Sequence, residues 1–200
     1  MATITRAWPL DDITVRRSGD GRTVEAYCAL FDDEYEVQDT HGHYMEIIDR
    51  AAFDHALSQG LTRTSVLFNH GMTVHGTPDA IASVPLGTPI EVRPDSRGLL
   101  TVTRYNRSAL ADATLEAIRH GDITGQSFRG RVYRSSPTRV PKVRPGAALP
   151  TVVRYELGLT DYGPTPVPVN AEPMMVAVRS SGVRSGAEWL ERIRALCVDG

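Results

Sequence analysis

The sequence predicts an α+β fold that is mainly β, a β core with helices packed around it. Three observations lead there. Short runs rich in β-branched and aromatic residues recur along the chain, each closed by a turn containing Gly, Pro or Asp. Helical spacing is confined to a few stretches, only one of them long and well capped at both ends. Finally, 200 residues suffice for one domain with a real core and leave little room for a second.

The elements follow in order. Residues 23–31 (TVEAYCALF) are short and rich in β-formers, hence a strand, and run into an acidic end at Asp32-Asp33-Glu34. Residues 41–49 (HGHYMEIID) read as a second strand, followed by a short helix over 51–59 that Gly60 stops. The apolar run 65–68 is a buried strand ending at Asn69-His70-Gly71, after which Pro78, Pro85, Gly87 and Pro89 mark turns. Strands 90–93 and 99–105 flank Pro-Asp-Ser-Arg-Gly, a hairpin connection. Residues 106–120 form the clearest helix. Asn106 or Ser108 caps it, Leu110, Ala113, Leu115, Ala117 and Ile118 line one face, and Gly121 ends it. A strand over 125–133, a Pro/Arg-rich loop over 135–150 and a strand over 151–159 come next. The proline-rich run 163–173 must be extended, since each proline fixes φ and removes a donor. Residues 174–178 read as a last strand, 180–185 as a linker and 186–197 (GAEWLERIRALC) as an amphipathic helix. The expected organisation is an N-terminal segment over 1–19, a domain over 20–178, and a linker with helix over 179–200.

Composition is that of an ordinary globular protein, 41% hydrophobic and 23% charged. A formal net charge of -2 argues against a dominant nucleic-acid-binding surface, although basic residues cluster over 129–144. Cys28 and Cys197 stand near opposite ends with no CxxC pair, which fits a reducing compartment. The opening MATITRAWPLDD lacks an apolar signal segment, and no window approaches the ~20 apolar residues that span a bilayer. The expectation is a protein kept in the cytoplasm or in something assembled there.

Six histidines are the first place to look for chemistry. His41 and His43 share one side of a strand and, with Glu46, form a candidate metal set; solvated loop histidines are the bland alternative. His55 and His120 sit on helices and read as structural or solvated. His70 differs, because it ends an apolar run and precedes a glycine, which puts a titratable ring at the rim of a core. His75 is a candidate partner for it or an ordinary strand residue. Among the serines, Ser127 stands out in Thr-Gly-Gln-Ser-Phe, where a strand starts straight after a helix and Gly125 permits close approach of a substrate backbone. Residue context yields a candidate pair, His70 and Ser127, and does not by itself establish a protease.

Five blocks in order resemble the prohead proteases of tailed phages related to phage HK97. They are Gly21-Arg22-Thr23-Val24-Glu25-Ala26-Tyr27 with Phe31-Asp32; Gly42-His43-Tyr44-Met45-Glu46-Ile47-Ile48 with Ala52-Phe53-Asp54 and Leu57; Val66-Leu67-Phe68-Asn69-His70 with Gly76; Gly125-Gln126-Ser127-Phe128; and Asp161-Tyr162-Gly163-Pro164 running on to Ala171. The resemblance covers most of residues 20–178. It departs from the family pattern just after Ser127, where Arg129-Gly130 replaces the common Gly-Phe.

The resemblance implies a β-barrel core like that of the herpesvirus capsid-maturation proteases, and a serine endopeptidase without cofactor or metal. In that role Ser127 is the nucleophile, His70 its general base, and Asp161, at the family's acidic position, the third member. No histidine follows His120, so a third-member histidine downstream of Ser127 is excluded. Arg129, Arg131 and the arginines over 134–144 are candidate oxyanion donors. The implied substrates are scaffold protein and the scaffolding segment of the major capsid protein, cut inside the prohead in the host cytoplasm, with self-cleavage and self-association expected and no nucleic-acid or membrane partner. The rivals are an inert assembly module on the same fold and a metal-dependent hydrolase using His41, His43 and Glu46 or His70 and His75.

Overall fold

The structure is a computed structural model that describes residues 2–9, 13–16, 19–142, 144, 146–166, 176–177 and 179–180. Among the described residues, thirteen strands and two α-helices make it mainly β. In chain order they are β1 (Thr3–Pro9), β2 (Thr14–Val15), β3 (Thr23–Leu30), β4 (Tyr35–Asp39), β5 (Gly42–Ile48), α1 (Asp54–Ser58) and β6 (Ser65–Val66). A 3-10 turn (Phe68–Gly71) follows, then β7 (Gly87–Pro94), β8 (Gly98–Tyr105), α2 (Ala109–His120), β9 (Gly125–Ser136), β10 (Thr151–Leu157), β11 (Asp161–Thr165), β12 (Val176–Ala177) and β13 (Arg179–Ser180).

β9 organises the larger sheet, a curled half-barrel of nine strands. Its first half pairs with β1 along one edge and β11 along the other, and its second half pairs with β10. Backbone bonds from Gly158 to Arg131 and from Thr160 to Arg129 carry that edge from β10 to β11 without a break. The second sheet runs β2-β3-β8-β7. Strand alternation sends Gln126 and Phe128 of β9 inward beside Arg6 and Trp8 of β1. Trp8 stacks on Phe128 at 5.8 Å and meets Tyr35 edge-on at 5.5 Å, and Phe53 closes on Phe128 at 5.2 Å. Polar contacts join the sheets as well, Gln126 donating to Thr101 at 2.7 Å and Thr103 meeting the Tyr162 hydroxyl at 2.6 Å.

α2 starts three residues later than its spacing predicts, because Asn106 is held in the preceding loop by bonds to Leu86 and Pro85. Ser108 caps the helix and Gly121, at φ 79°, ends it. α1 is shortened likewise, since Ala51 and Ala52 are tied back to Asp49. β7 begins earlier than expected, at Gly87. It tolerates Pro89 and Pro94 because it is an edge strand.

The sequence offered no reason to read 3–9 as an element, yet β1 sits between β9 and β12 with Arg6 1% exposed. Arg6 donates from Nε to Glu46 at 2.5 Å, and from Nη2 to Glu46 and to the Tyr44 hydroxyl. Arg154 and the Tyr35 hydroxyl complete the cluster by donating to the same carboxylate at 2.6 and 2.7 Å. The strand expected over 174–178 is described at Val176–Ala177, and the helix expected over 186–197 lies outside the described residues.

Candidate active site

In the β9–β11 ladder Ser127 lies opposite Gly163, and Arg129 opposite Asp161. Residues two apart on a strand, and residues directly opposed on its neighbour, share a face. Ser127, Arg129 and Asp161 therefore project together, away from the Phe128 and Trp8 core. On the other side, Ser127 faces Ala7 of β1, whose small side chain leaves room.

Gly163 decides how the histidine arrives. A Cβ there would fall 2.0 Å from the Leu67 carbonyl oxygen, so only glycine lets the chain after β6 lie flat against β11. Leu67 keeps one ladder bond, to Tyr162 at 3.0 Å, and then the chain leaves the sheet. It does so through two consecutive left-handed residues, Asn69 (φ 46°, ψ 39°) and His70 (φ 58°, ψ 26°). Such conformations cost about 1–3 kcal/mol each outside glycine and persist only where the surroundings over-determine them. Here the Asn69 amide donates to Met72 and Thr73 at 3.0 and 2.9 Å, its oxygen accepts from Thr165 at 2.9 Å, and Arg129 donates to the His70 carbonyl at 2.7 Å.

The turn delivers the imidazole between the two strand residues. His70 Nδ1 lies 2.5 Å from Asp161 Oδ1, and His70 Nε2 is hydrogen-bonded to Ser127 Oγ. A carboxylate only accepts, so Nδ1 carries the proton, Nε2 is the free acceptor and the serine hydroxyl donates. All three side chains are buried, Ser127 at 1% exposure, which keeps bulk water from competing for these bonds. The line can pass the hydroxyl proton to the ring as Oγ attacks an electrophile, with the carboxylate beside the imidazolium that forms.

Arg129 Nε lies 3.0 Å from Asp161 Oδ2, off the hydrogen-bond axis. Together with the His70 carbonyl contact, this commits the guanidinium to the Asp161 side of the line. The metal sets are not gathered in the same way. Glu46 points into the core and is taken by Arg6 and Arg154, while His43 turns outward to Glu36 at 2.6 Å and His75 is exposed in its loop. Among the described residues no group of three or more His, Cys, Asp and Glu is placed to hold a metal ion.

Sequence reasoning missed the roles of two residues, Asn69, quoted only within a family block, and Arg129, named only as a candidate oxyanion donor. Asn69 has a signal of its own, because asparagine is the non-glycine residue most at home in the left-handed region. Arg129 had one too, standing two residues from Ser127 on the same strand face.

The family model of the caudovirus prohead serine proteases matches residues 11–181. The chain belongs to that family. The match begins just after β1 and takes in His70, Ser127 and Asp161, and membership makes the chain a capsid-maturation protease with capsid-related substrates. No curated protein and no solved structure matches it.

Proposed function

We propose that the chain is a serine endopeptidase in which Ser127 is the nucleophile, His70 the general base, and Asp161 the residue that orients the imidazole. One observation carries this reading: the unbroken hydrogen-bond line from Asp161 through His70 to Ser127, on residues separated by 91 and 57 positions in sequence. Ser127 Oγ attacks the scissile carbonyl carbon as its proton moves to His70 Nε2. The same proton then passes to the departing amine, the peptide bond breaks and an acyl-enzyme is left. Water, deprotonated by His70, attacks the ester carbonyl. The proton returns to Oγ as the acid product leaves.

The substrates are scaffold protein and the scaffolding segment of the major capsid protein inside the prohead in the host cytoplasm, followed by the enzyme itself. Family membership supports this, and the curled sheet supports a herpesvirus-protease-like core. Among the described residues no helix is long and apolar enough to cross a membrane. An inert assembly module would give no account of two left-handed residues held against a buried serine. Arg129, standing where the family commonly has glycine, gives the Asp161 carboxylate a cation.

Co-expression of the chain with its scaffold and capsid proteins tests the reading. Ser127→Ala is expected to leave both uncut and proheads stalled, and wild-type cleavage by that variant would overturn it.

A further inference from the structure

Charge is segregated along this chain. From Ile123 to Tyr155 there is no acidic residue and there are seven of the 22 lysines and arginines, which leaves fifteen basic against twenty-four acidic residues elsewhere. The fold gathers part of that stretch around a cleft of about 690 Å³. It lies between the far end of β9 and the loop at 138–140, roughly 25 Å along the strand from Ser127 at ~3.3 Å per residue. Ile4, Val140 and Tyr133 supply apolar wall, Arg154 lines it from its buried cluster, and Arg134 and Arg139 are exposed at its rim.

The rim arginines make no close ion pair among the described residues, although Arg134 stands opposite Glu156 in the β9–β10 ladder. Among the described residues no carboxylate lies within ion-pair distance of Arg134 or Arg139, and no carboxylate lines the cleft. Elsewhere among the described residues the exposed Arg50, Arg93, Arg104 and Arg119 each meet an acid, while the exposed Arg63 and Arg107 do not. Arg134 is also held in place, its guanidinium 5.1 Å from the centre of the Tyr155 ring.

We propose that this cleft is an exosite that binds an acidic segment of the protein that the chain cuts. Guanidinium forks match carboxylates geometrically, and the volume and apolar wall suit a few residues of polypeptide rather than a lone ion. A long nucleic acid would run beyond the basic stretch onto the acid-rich remainder, so a short acidic segment is the better occupant. That the occupant is the substrate rests on the proteolytic reading above; that the cleft takes acidic polypeptide does not.

The test uses the full chain carrying Ser127→Ala, so that no probe is cut. Fluorescein-labelled octaglutamate, an uncharged peptide of equal length and an eight-nucleotide single-stranded DNA are titrated against it by anisotropy. Octaglutamate is expected to bind best, to weaken at least tenfold with Arg134→Gln/Arg139→Gln or with Thr138→Glu, and to weaken with salt. Equal binding of the uncharged peptide, tighter binding of the DNA, or indifference to all three substitutions would overturn the proposal. Arg134 and Arg139 lie by the far end of β9, too distant from Ser127 for the oxyanion role the sequence offered these arginines. With Ser127 restored, Arg134→Gln/Arg139→Gln is therefore expected to raise KM for a substrate with an acidic flank and leave a neutral short peptide unchanged. An equal effect on both substrates would overturn the substrate assignment. Octaglutamate binding by a chain that cuts neither substrate would sink the proteolytic reading and leave the acidic-peptide site standing.

Discussion

Glu46 should make this protein acid-labile by an amount the structure fixes. Burial alone would raise its carboxyl, but Arg6, with Arg154 and the Tyr35 hydroxyl, overcomes that and holds it at about 2, against an ordinary 4.5. At about 1.4 kcal/mol per pH unit, the gap contributes roughly 3 kcal/mol. The carboxyl is depressed in the folded state, so this stability is fully present above pH 4.5 and is lost as pH falls toward 2. The perturbation is Glu46→Gln, which leaves two buried guanidiniums without their shared carboxylate, and removing one partner of such a cluster costs about 3–5 kcal/mol at neutral pH. Urea unfolding followed by Trp fluorescence, at half-unit steps from pH 7 to 2.5, reads both effects. Wild type is expected to lose most of its excess over Glu46→Gln across the acid limb, so that the two curves converge. Parallel curves at a constant offset would refute the reasoning, because the carboxylate would then carry no linkage of its own.

Three further outcomes concern the site. Asp161→Asn should lower kcat by about 10³–10⁴-fold with little change in KM, since an amide can leave the imidazole in the wrong tautomer; steady-state kinetics on a peptide substrate checks it. Gly163→Ala forces a Cβ into the Leu67 carbonyl and should destabilise by about 1–3 kcal/mol while cutting kcat further than the lost stability explains, read by melting and kinetics together. Arg129→Gln should lower kcat more than tenfold at unchanged fold, with partial recovery in Arg129→Lys, if its contacts to Asp161 and the His70 carbonyl steady the line; equal activity in all three forms would count against that role.

What could be read in advance divides by the range of the forces involved. α2 was legible because Ser108, the apolar face and Gly121 act within a few residues of one another. The β7–β8 hairpin was legible for the same reason, Asp95 bonding the turn at Arg97 and Gly98. β1 was not, because an arginine in its middle reads as surface until Glu46, forty residues away, is known to meet it. Local context nominated His70 and Ser127 among other histidines and serines, and Asp161 came in only through the resemblance. What gathers them is Gly163 opposite Ser127 and a left-handed turn after β6, pairings that no local pattern reveals. The strand expected over 65–68 keeps only Ser65–Val66, since Asn69 and His70 take the chain out of the sheet.

Covalent labelling with a fluorophosphonate, followed by peptide mass mapping, tests the central claim most directly. One adduct on Ser127, abolished by His70→Ala while that variant stays folded, is the expected result. An adduct on another residue, or labelling of Ser127 that survives loss of the imidazole undiminished, would contradict it.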